Sequence, residues 1–231
     1  MSGSEPIAIG LAAPAALGSS SRLERLNASP KSPGQASFYF WDTHFRCDAV
    51  KVLPGEYFVH DEDVMITTTL GSCIAACLWD RERSIGGMNH FMLPEGAGSG
   101  SDNASGRYGS YAMELLINAL IKRGASRLTL EAKVFGGGNV VRGMQSIDIG
   151  GRNTRFVTEY LHTERIPIVS QDVLDIYPRK VCFLPRSGKA LVKRLAPVHA
   201  PAQAAALLAQ DRLAAQRALP ASSGGGSVDL F

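Results

Sequence analysis

The sequence lacks several features that would mark a nucleic-acid-binding, membrane or secreted protein. Its 24 Lys and Arg are nearly balanced by 21 Asp and Glu, and no run of basic residues occurs. No apolar run approaches the roughly 20 residues of a membrane-spanning helix. The first residues carry no basic segment, and Pro14 and Gly18 interrupt their apolar stretch, unlike a secretion signal. We therefore expect a cytoplasmic protein that binds no nucleic acid and does not insert into membranes.

Cysteine is also scarce, with four residues in a chain of 231: Cys47, Cys73, Cys77 and Cys182. In a reducing cytoplasm we expect thiols rather than a disulfide framework. Most unpaired cysteines are small buried apolar residues, so the question is whether one of the four differs.

Composition divides the chain into three parts. Residues 1–38 are rich in Ala, Ser, Gly and Pro, and residues 197–231 are rich in Ala and end in a Gly/Ser stretch. Such segments are typical of flexible tails. Residues 39–196 are predicted to form one continuous domain.

Within this domain the patterns follow the order strand, strand, strand, helix, strand, helix, strand, strand, strand. Residues 64–70 alternate and are rich in β-branched side chains. Residues 108–122 repeat apolar side chains at helical spacing before Gly124, a natural stop, and Asn153 is predicted to cap the second helix. The order predicts an α+β fold, a single layered domain with mixed β-sheets flanked by helices.

The most informative segment is Gly71-Ser72-Cys73, where two small residues separate two apolar strands. Glycine permits the sharp turn that lifts a side chain out of a sheet. Backbone N–H groups at Gly71 and Ser72 can then point at a developing oxyanion. A buried structural cysteine after a plain turn is the alternative.

His90 makes the catalytic interpretation stronger. It lies after Gly86-Gly87, on a predicted strand joined to the Cys73 strand by a short polar turn at residues 80–84. Hairpin pairing would bring Cys73 and His90 together. A neighbouring imidazole lowers the pKa of a thiol and accepts its proton, so the pair predicts a cysteine nucleophile with a histidine base.

A third group should orient the imidazole. Thr67, Thr68 and Thr69 all precede Cys73 on a strand that can run beside the hairpin, and the residues alone do not choose among them. Asn89 is a weaker candidate, since neighbours on a strand face opposite sides.

Two other chemistries are less well supported. Cys73, Cys77 and His90 could bind a metal, but the i, i+4 cysteine spacing suits a helix while the segment has a strand pattern. Gly136-Gly137-Gly138 follows a strand, yet no Gly-Lys-Ser/Thr follows it as in a phosphate-binding loop. We expect neither a metal nor an organic cofactor, and a tight turn near the active site at the three glycines.

Several separated motifs resemble one family. Residues 67–77 (TTTLGSCIAAC) resemble the T-x-x-x-G-S-C segment of the chemoreceptor glutamine deamidases (CheD), and residues 86–94 (GGMNHFMLP) resemble their G-x-x-H-x-x-L-P segment. Further similarity lies at Tyr108 with the helix that follows it, at residues 131–138 and at residues 149–153. The resemblance spans roughly residues 40–195.

The resemblance implies an activity and its residues. Family members are protein-glutamine deamidases that convert glutamines of methyl-accepting chemotaxis receptors to glutamate and ammonia, without a cofactor. The family's nucleophile, histidine and threonine fall on Cys73, His90 and Thr67. Its fold is similar to that of glutamine-deamidating toxins, layered α/β cysteine hydrolases.

The same resemblance implies a second partner and leaves one alternative. Some members bind the phosphatase CheC, so a non-catalytic module that binds signalling proteins is the competing hypothesis. One departure occurs at residues 172–179, where the family often carries D-x-G-G-x-x-x-R and this chain has no Gly pair. The departure concerns the shape of that loop and does not involve any of the predicted catalytic residues.

Overall fold

Two mixed five-stranded β-sheets pack face to face in the part of the chain that the computed structural model describes, residues 21–93, 102–140, 148–196 and residue 209. The strands are β1 (Phe38–Asp42), β2 (Cys47–Lys51), β3 (Tyr57–His60), β4 (Met65–Leu70), β5 (Ile74–Asp80), β6 (Ile85–Asn89), β7 (Leu130–Gly136), β8 (Ile168–Val173), β9 (Arg179–Leu184) and β10 (Lys189–Arg194). The first sheet has the order β1-β2-β4-β9-β10 and the second β3-β6-β5-β7-β8. The pairs β2–β4 and β7–β8 are parallel, and the others are antiparallel.

The two longer helices cover the outer face of the second sheet. The helices are α1 (Ser21–Ala28), α2 (Asp102–Lys122) and α3 (Ile149–Thr163), with a 3₁₀ turn at Arg127–Thr129. Apolar residues of α2 and α3 share one buried cluster with Ile74, Ala76 and Leu78 of β5. The layers are therefore sheet, sheet and helices, which confirms the predicted α+β fold with mixed sheets flanked by helices. Among the described residues, no helix has the length and apolarity needed to cross a membrane.

A second buried cluster fills the space between the sheets. Ile66 and Leu70 of β4 meet Ala75 and Cys77 of β5 there, whereas Met65 belongs to a cluster on the opposite face of β4. This follows from the two-residue period of a strand. Even-numbered residues of β4 face the second sheet, and the odd-numbered residues Met65 and Thr67 face away from it.

The chain packs against the sheets earlier than composition predicts. Helix α1 lies within the predicted N-terminal tail, where Leu23 and Ala36 are buried at 4% and 0% exposure. Packed structure therefore begins at least as early as Ser21, upstream of the boundary predicted at residue 39. Residues 1–20 lie outside the described part, as do residues 197–231 apart from Ala209, and their assignment as flexible tails stays a prediction.

One helix boundary was predicted on the wrong residue. Asp148, not Asn153, is the N-cap of α3, and its Oδ1 accepts a hydrogen bond from the Gly151 N–H at 2.8 Å. Asn153 lies one turn inside the helix, fully buried. Its side chain bonds to other segments, so it is not available as a cap.

Candidate active site

Cys73 lies where the chain crosses from the first sheet to the second. Gly71-Ser72-Cys73 connects β4 to β5, and all three of its carbonyl groups accept a hydrogen bond at 2.8 Å. The Gly71 carbonyl is bound by the Gly138 N–H and the Cys73 carbonyl by the Gly137 N–H. The Ser72 carbonyl accepts from Nδ2 of Asn153. The backbone on both sides of the thiol is therefore held in one conformation.

The glycine loop, Gly136-Gly137-Gly138, packs against the Gly71-Ser72-Cys73 connection, which we call the elbow. Gly136 and Gly137 have φ of 110° and 66°, a region that favours glycine. A Cβ on Gly136 would lie 2.1 Å from the Cys73 carbonyl oxygen. The predicted tight turn is present, and only glycine allows the backbone to approach the elbow this closely.

The buried side chain of Arg179 holds the glycine loop by a hydrogen bond to Gly136. Arg179 is 0% exposed, and its Nε donates to Oδ1 of Asp172 at 2.7 Å. Its other nitrogens donate to the carbonyls of Gly136, Tyr177 and Leu174. Residues 172–179, which depart from the family pattern, therefore carry a guanidinium whose three nitrogens all donate hydrogen bonds, one of them to the glycine loop.

The β5–β6 hairpin places His90 on the same face of the sheet as Cys73. Its antiparallel register runs from Asp80 opposite Ile85 to an isolated bridge between Ile74 and Phe91, which confirms the predicted hairpin. The same register makes His90 and Cys73 diagonal neighbours facing the layer between the sheets. Diagonal neighbours have their backbones about 7–8 Å apart and their side chains closer, within reach of an imidazole.

Thr68 holds the imidazole from the opposite sheet. Its Oγ1 lies 2.8 Å from Nδ1 of His90 and donates to the carbonyl of Val52 at 2.7 Å. A threonine hydroxyl has one proton, and the carbonyl can only accept. The hydroxyl therefore accepts from Nδ1–H of His90, which leaves Nε2 as the unprotonated nitrogen of a neutral ring.

Thr67, the residue implied by the family resemblance, does not contact His90 in the structure. Its Oγ1 donates to the Val181 carbonyl at 3.0 Å and lies 3.5 Å from Sγ of Cys182. The reason is the alternation along β4, because Thr67 faces away from the second sheet and Thr68 faces towards it. The geometry places Thr68, and not Thr67, against His90, and it turns Asn89 away, towards α2.

Burial keeps His90 neutral. The residue is 2% exposed. Burial lowers its pKa to about 4, and the charge of Lys51 acts in the same direction against a backbone hydrogen bond at Val52. Nε2 is buried and has no hydrogen-bond partner among the residues that the structure describes. At neutral pH the ring is therefore a base with an unoccupied acceptor.

The hydroxyl of Tyr108 is another buried group that lacks a hydrogen-bond partner within the described ranges. Burial raises the pKa of Tyr108 to about 12, and charge on Cys73 adds to the rise. The hydroxyl is therefore within electrostatic reach of the thiol. The sequence placed Tyr108 on the apolar face of a helix and within the family resemblance, but no pattern gave its hydroxyl a role.

The geometry does not favour a metal site. No cluster of three or more His, Cys, Asp or Glu side chains suited to a metal occurs among the described residues. Cys77 lies four residues from Cys73 along extended chain, about 13 Å away. Burial raises the pKa of the Cys77 thiol, which is 0% exposed, so Cys77 is a core residue.

Comparison with known proteins gives a consistent result. The family model "CheD chemotactic sensory transduction" matches residues 92–194. A protein of Albidiferax ferrireducens named "Probable chemoreceptor glutamine deamidase CheD 1" is 56% identical over 214 residues, 93% of this chain and 88% of that protein. The chain belongs to the CheD family. CheD relatives from Bordetella petrii and Methylobacillus flagellatus, both named "Probable chemoreceptor glutamine deamidase CheD", are 53% and 48% identical over 80% and 88% of this chain and 82% and 100% of theirs.

The CheD likeness extends over the elbow and the hairpin. The family model begins at residue 92, after both Cys73 and His90. The 214-residue alignment to the Albidiferax protein leaves room for few unmatched residues, so it includes both. Among solved structures, the Bacillus licheniformis hypothetical protein YfiH matches 52% of this chain and 49% of its own at 12% identity with a TM-score of 0.30, too low to bear on the fold.

Proposed function

We propose that this chain is a chemoreceptor glutamine deamidase, which hydrolyses glutamine side chains of chemotaxis receptors to glutamate and ammonia. Its relatives carry that activity in their names. The observation that carries the proposal for the site is the bonded series from the Val52 carbonyl through Thr68 to Nδ1 of His90. It leaves Nε2 as a base on the face that carries Cys73.

The first half of the reaction forms a thioester. Nε2 of His90 takes the proton of the Cys73 thiol, and the sulfur attacks the carbonyl carbon of the glutamine side chain. The carbonyl π electrons move to oxygen and give a tetrahedral oxyanion. The intermediate collapses as the C–N bond breaks, and the imidazolium supplies the proton that releases ammonia.

The second half returns the enzyme. Water gives a proton to Nε2 of His90 as its oxygen attacks the thioester carbon, and the C–S bond breaks. The sulfur leaves with its electron pair and takes back that proton from the imidazolium, which restores the thiol. The second proton of the water stays on the new carboxyl group, which ionises to glutamate in solution. Thr68 keeps the ring in one tautomer through both halves, the role of an orienting group in a catalytic triad.

Backbone amides at the elbow are the proposed oxyanion donors. The carbonyls of Gly71 and Ser72 are held by other groups, which fixes the two peptide planes that carry the N–H groups of Ser72 and Cys73. Donors fixed in advance stabilise developing charge without rearrangement during the reaction. Gly71 and Ser72 stay the predicted contributors to this backbone support.

The product changes the charge of the receptor. Each conversion adds one negative charge to a helical receptor surface. A pair of like charges on a helix lowers the stability of that helix by about 0.2–0.5 kcal/mol. The CheC-type phosphatase stays a predicted partner. A non-catalytic module that binds such signalling proteins is the alternative that the following experiment tests.

Ammonia release from a purified receptor cytoplasmic fragment tests the proposal. Wild type is compared with Cys73→Ala and with Cys77→Ala, a matched control because Cys77 is also 0% exposed and faces the same layer between the sheets. We expect release, and a mass gain of about one unit at particular glutamines, with wild type and Cys77→Ala only, since the sulfur of Cys73 is the nucleophile. Binding of the fragment without release by wild type would favour the binding module.

A further inference from the structure

The loop that follows β8 holds two neighbouring residues in the left-handed backbone region. Leu174 and Asp175 have φ of 62° and 69°, values that favour glycine because a side chain there crowds the backbone. They occupy the two positions at which the family pattern D-x-G-G-x-x-x-R has its Gly pair. The backbone therefore has a conformation suited to glycine, although both residues carry side chains.

Backbone hydrogen bonds hold Leu174 in this conformation. Its N–H donates to the Gly136 carbonyl at 2.8 Å, and its carbonyl accepts from Nη2 of Arg179. The next carbonyl, that of Asp175, accepts from the Asn139 N–H at 2.7 Å. A strained conformation persists where its surroundings determine it in this way, and such residues cluster at functional sites.

The two strained residues differ in how their side chains are used. Oδ1 of Asp175 accepts from the Ile176 N–H at 2.7 Å, and a short polar side chain that bonds locally makes the left-handed region tolerable. Leu174 cannot bond in this way. Leu174 and Ile176 are 44% and 45% exposed. Packing in the folded chain therefore does not account for a leucine at a position that favours glycine.

The sheet topology places this loop beside the elbow. Gly136 pairs with both Ile74 of β5 and Val173 of β8. The residues next to these three on their strands therefore form one row across the end of the second sheet: Cys73, Gly137 and Leu174. Neighbouring strands are about 4.8 Å apart, so the backbone of Leu174 lies about 10 Å from that of Cys73.

A receptor helix that presents a glutamine to Cys73 is long enough to reach this loop. A helix rises about 1.5 Å per residue, so the side chain seven positions from the glutamine lies on the same face about 10 Å away. This spacing matches the separation of Leu174 from Cys73. An apolar side chain at that position of the receptor would meet the exposed side chains of Leu174 and Ile176.

We propose that Leu174 and Ile176 form a docking surface for the receptor helix, where they contact an apolar side chain about two turns from the target glutamine. The proposal rests on the proposed function and adds a determinant of receptor specificity to it. The contact lies away from the reacting bond, so it is equally strong in the ground state and the transition state. Its loss should therefore raise KM without lowering kcat.

Leu174→Asn removes the apolar side chain and keeps the loop. Asparagine is among the residues that best tolerate the left-handed region, and the backbone hydrogen bonds do not involve the side chain. In the ammonia-release assay we expect KM for the receptor fragment to rise about fivefold, the effect of leaving part of a leucine unburied on binding. Ile176→Ala should raise KM about threefold. Both variants should keep kcat within about twofold of wild type.

Leu174→Gly separates the contact from the backbone strain. Glycine populates the left-handed region readily, so this variant relieves the strain and removes the contact together. We expect its thermal midpoint to stay at or above that of wild type, while KM rises as in L174N. A leucine that serves the fold would give the reverse result, a lower thermal midpoint with an unchanged KM.

Two controls match these variants at the far end of the second sheet. Leu128→Asn removes a leucine that is 97% exposed and lies in the 3₁₀ turn before β7. Ser84→Gly relieves a left-handed residue, with φ of 55°, at the β5–β6 turn. Both positions lie at the opposite end of the strands from Cys73, so we expect neither change to alter KM.

Four results would overturn the inference. The first is an unchanged KM in both L174N and L174G, and the second is an equal rise of KM in L128N. The third is a fall of kcat in L174N at constant KM, since the loop would then act on the elbow through Gly136. The fourth is an altered sedimentation coefficient of L174N at constant KM, which would assign the surface to a second copy of the chain. Wild type without ammonia release would instead refute the proposed function, so the two failures are distinguishable.

Discussion

The buried polar groups at the two ends of the β5–β6 hairpin differ in whether their hydrogen bonds are satisfied. At the turn end, the 0% exposed carboxylate of Asp80 accepts hydrogen bonds from the N–H groups of Glu82, Arg83 and Ser126 at 3.0, 3.1 and 2.6 Å. At the open end, Nε2 of His90 is buried without a hydrogen-bond partner in the described part of the chain, and so is the hydroxyl of Tyr108 on α2. Buried polar groups are nearly always hydrogen-bonded, and one that is not costs about 1–3 kcal/mol.

The difference separates stability from chemistry along one supersecondary unit. The turn end satisfies its polar groups and stabilises the fold. The open end keeps Nε2 of His90 unsatisfied on the face that carries Cys73, where a substrate amide could pair with it. Changes at the open end should therefore alter catalysis more than stability, and changes at the turn end should do the reverse.

The largest effect is expected at the group that orients His90. Thr68→Val keeps the shape of the side chain but removes the acceptor for Nδ1–H, so the ring is free to adopt the wrong tautomer. We expect kcat for ammonia release to fall by about 10²-fold or more. Thr67→Val is the matched control on the other face of β4 and should change kcat less than threefold or so. A larger loss for Thr67→Val than for Thr68→Val would return the orienting role to Thr67.

The pKa of His90 predicts acid sensitivity. The folded-state pKa of about 4 lies below the usual value near 6.5, so the unfolded chain binds the proton more readily. The stability gained by keeping His90 neutral is fully present above about pH 6.5. It is lost as pH falls towards 4, and the free energy of unfolding then decreases by about 3 kcal/mol. Urea unfolding of wild type and His90→Gln between pH 7 and 4 measures this loss. Equal pH slopes for the two proteins would contradict the prediction.

At the turn end, Asp80→Ala should destabilise without impairing catalysis. Three N–H groups would lose a charged acceptor, and we expect the free energy of unfolding to fall by about 2 kcal/mol. Burial acts to raise the pKa of Asp80, but hydrogen bonds from Ser126 and the turn outweigh it and hold the pKa below its usual value. Its contribution is therefore present above about pH 4 and lost on acidification below it. An unchanged thermal midpoint, or a large loss of kcat, would contradict the comparison.

Tyr108→Phe should have a smaller effect, with opposite signs for stability and activity. Removing a buried hydroxyl without a partner should leave stability unchanged or raise it by about 1 kcal/mol. We expect kcat to fall about tenfold, because a donor within reach of Cys73 is lost. Tyr57→Phe, a second buried tyrosine at 7% exposure, is the control. A destabilised Tyr108→Phe with normal kcat would show that the hydroxyl is structural.

The smallest effect is expected at the ends of the chain. The predicted tails carry none of the residues of the candidate site, and packed structure begins by Ser21. We expect a fragment of residues 21–196 to keep kcat for the receptor fragment within about twofold of the full chain, since sites without shared contacts act independently. A large rise in KM would instead assign receptor binding to a tail.

Local pattern was sufficient for part of the site. Cys73 and His90 lie on either side of a short polar turn in two extended runs, and a hairpin brings such residues together whatever surrounds it. Thr68, Tyr108 and Asn153 could not be assigned in the same way. They reach the site from β4, α2 and α3, and no periodicity in those segments indicates which neighbour each side chain meets.

Sequence patterns were sufficient to predict the α+β class, the hairpin, and the family membership that the comparisons established. The packing of the two sheets was needed to show which face of β4 meets His90, and hence that Thr68 rather than Thr67 contacts it. Adjacent residues of a strand point in opposite directions, so their roles depend on which face a second sheet covers. That choice is made by the packing of residues far apart in the chain. It also placed Asn153 at the elbow, because a helix side chain meets a loop 81 residues away only after the layers have assembled.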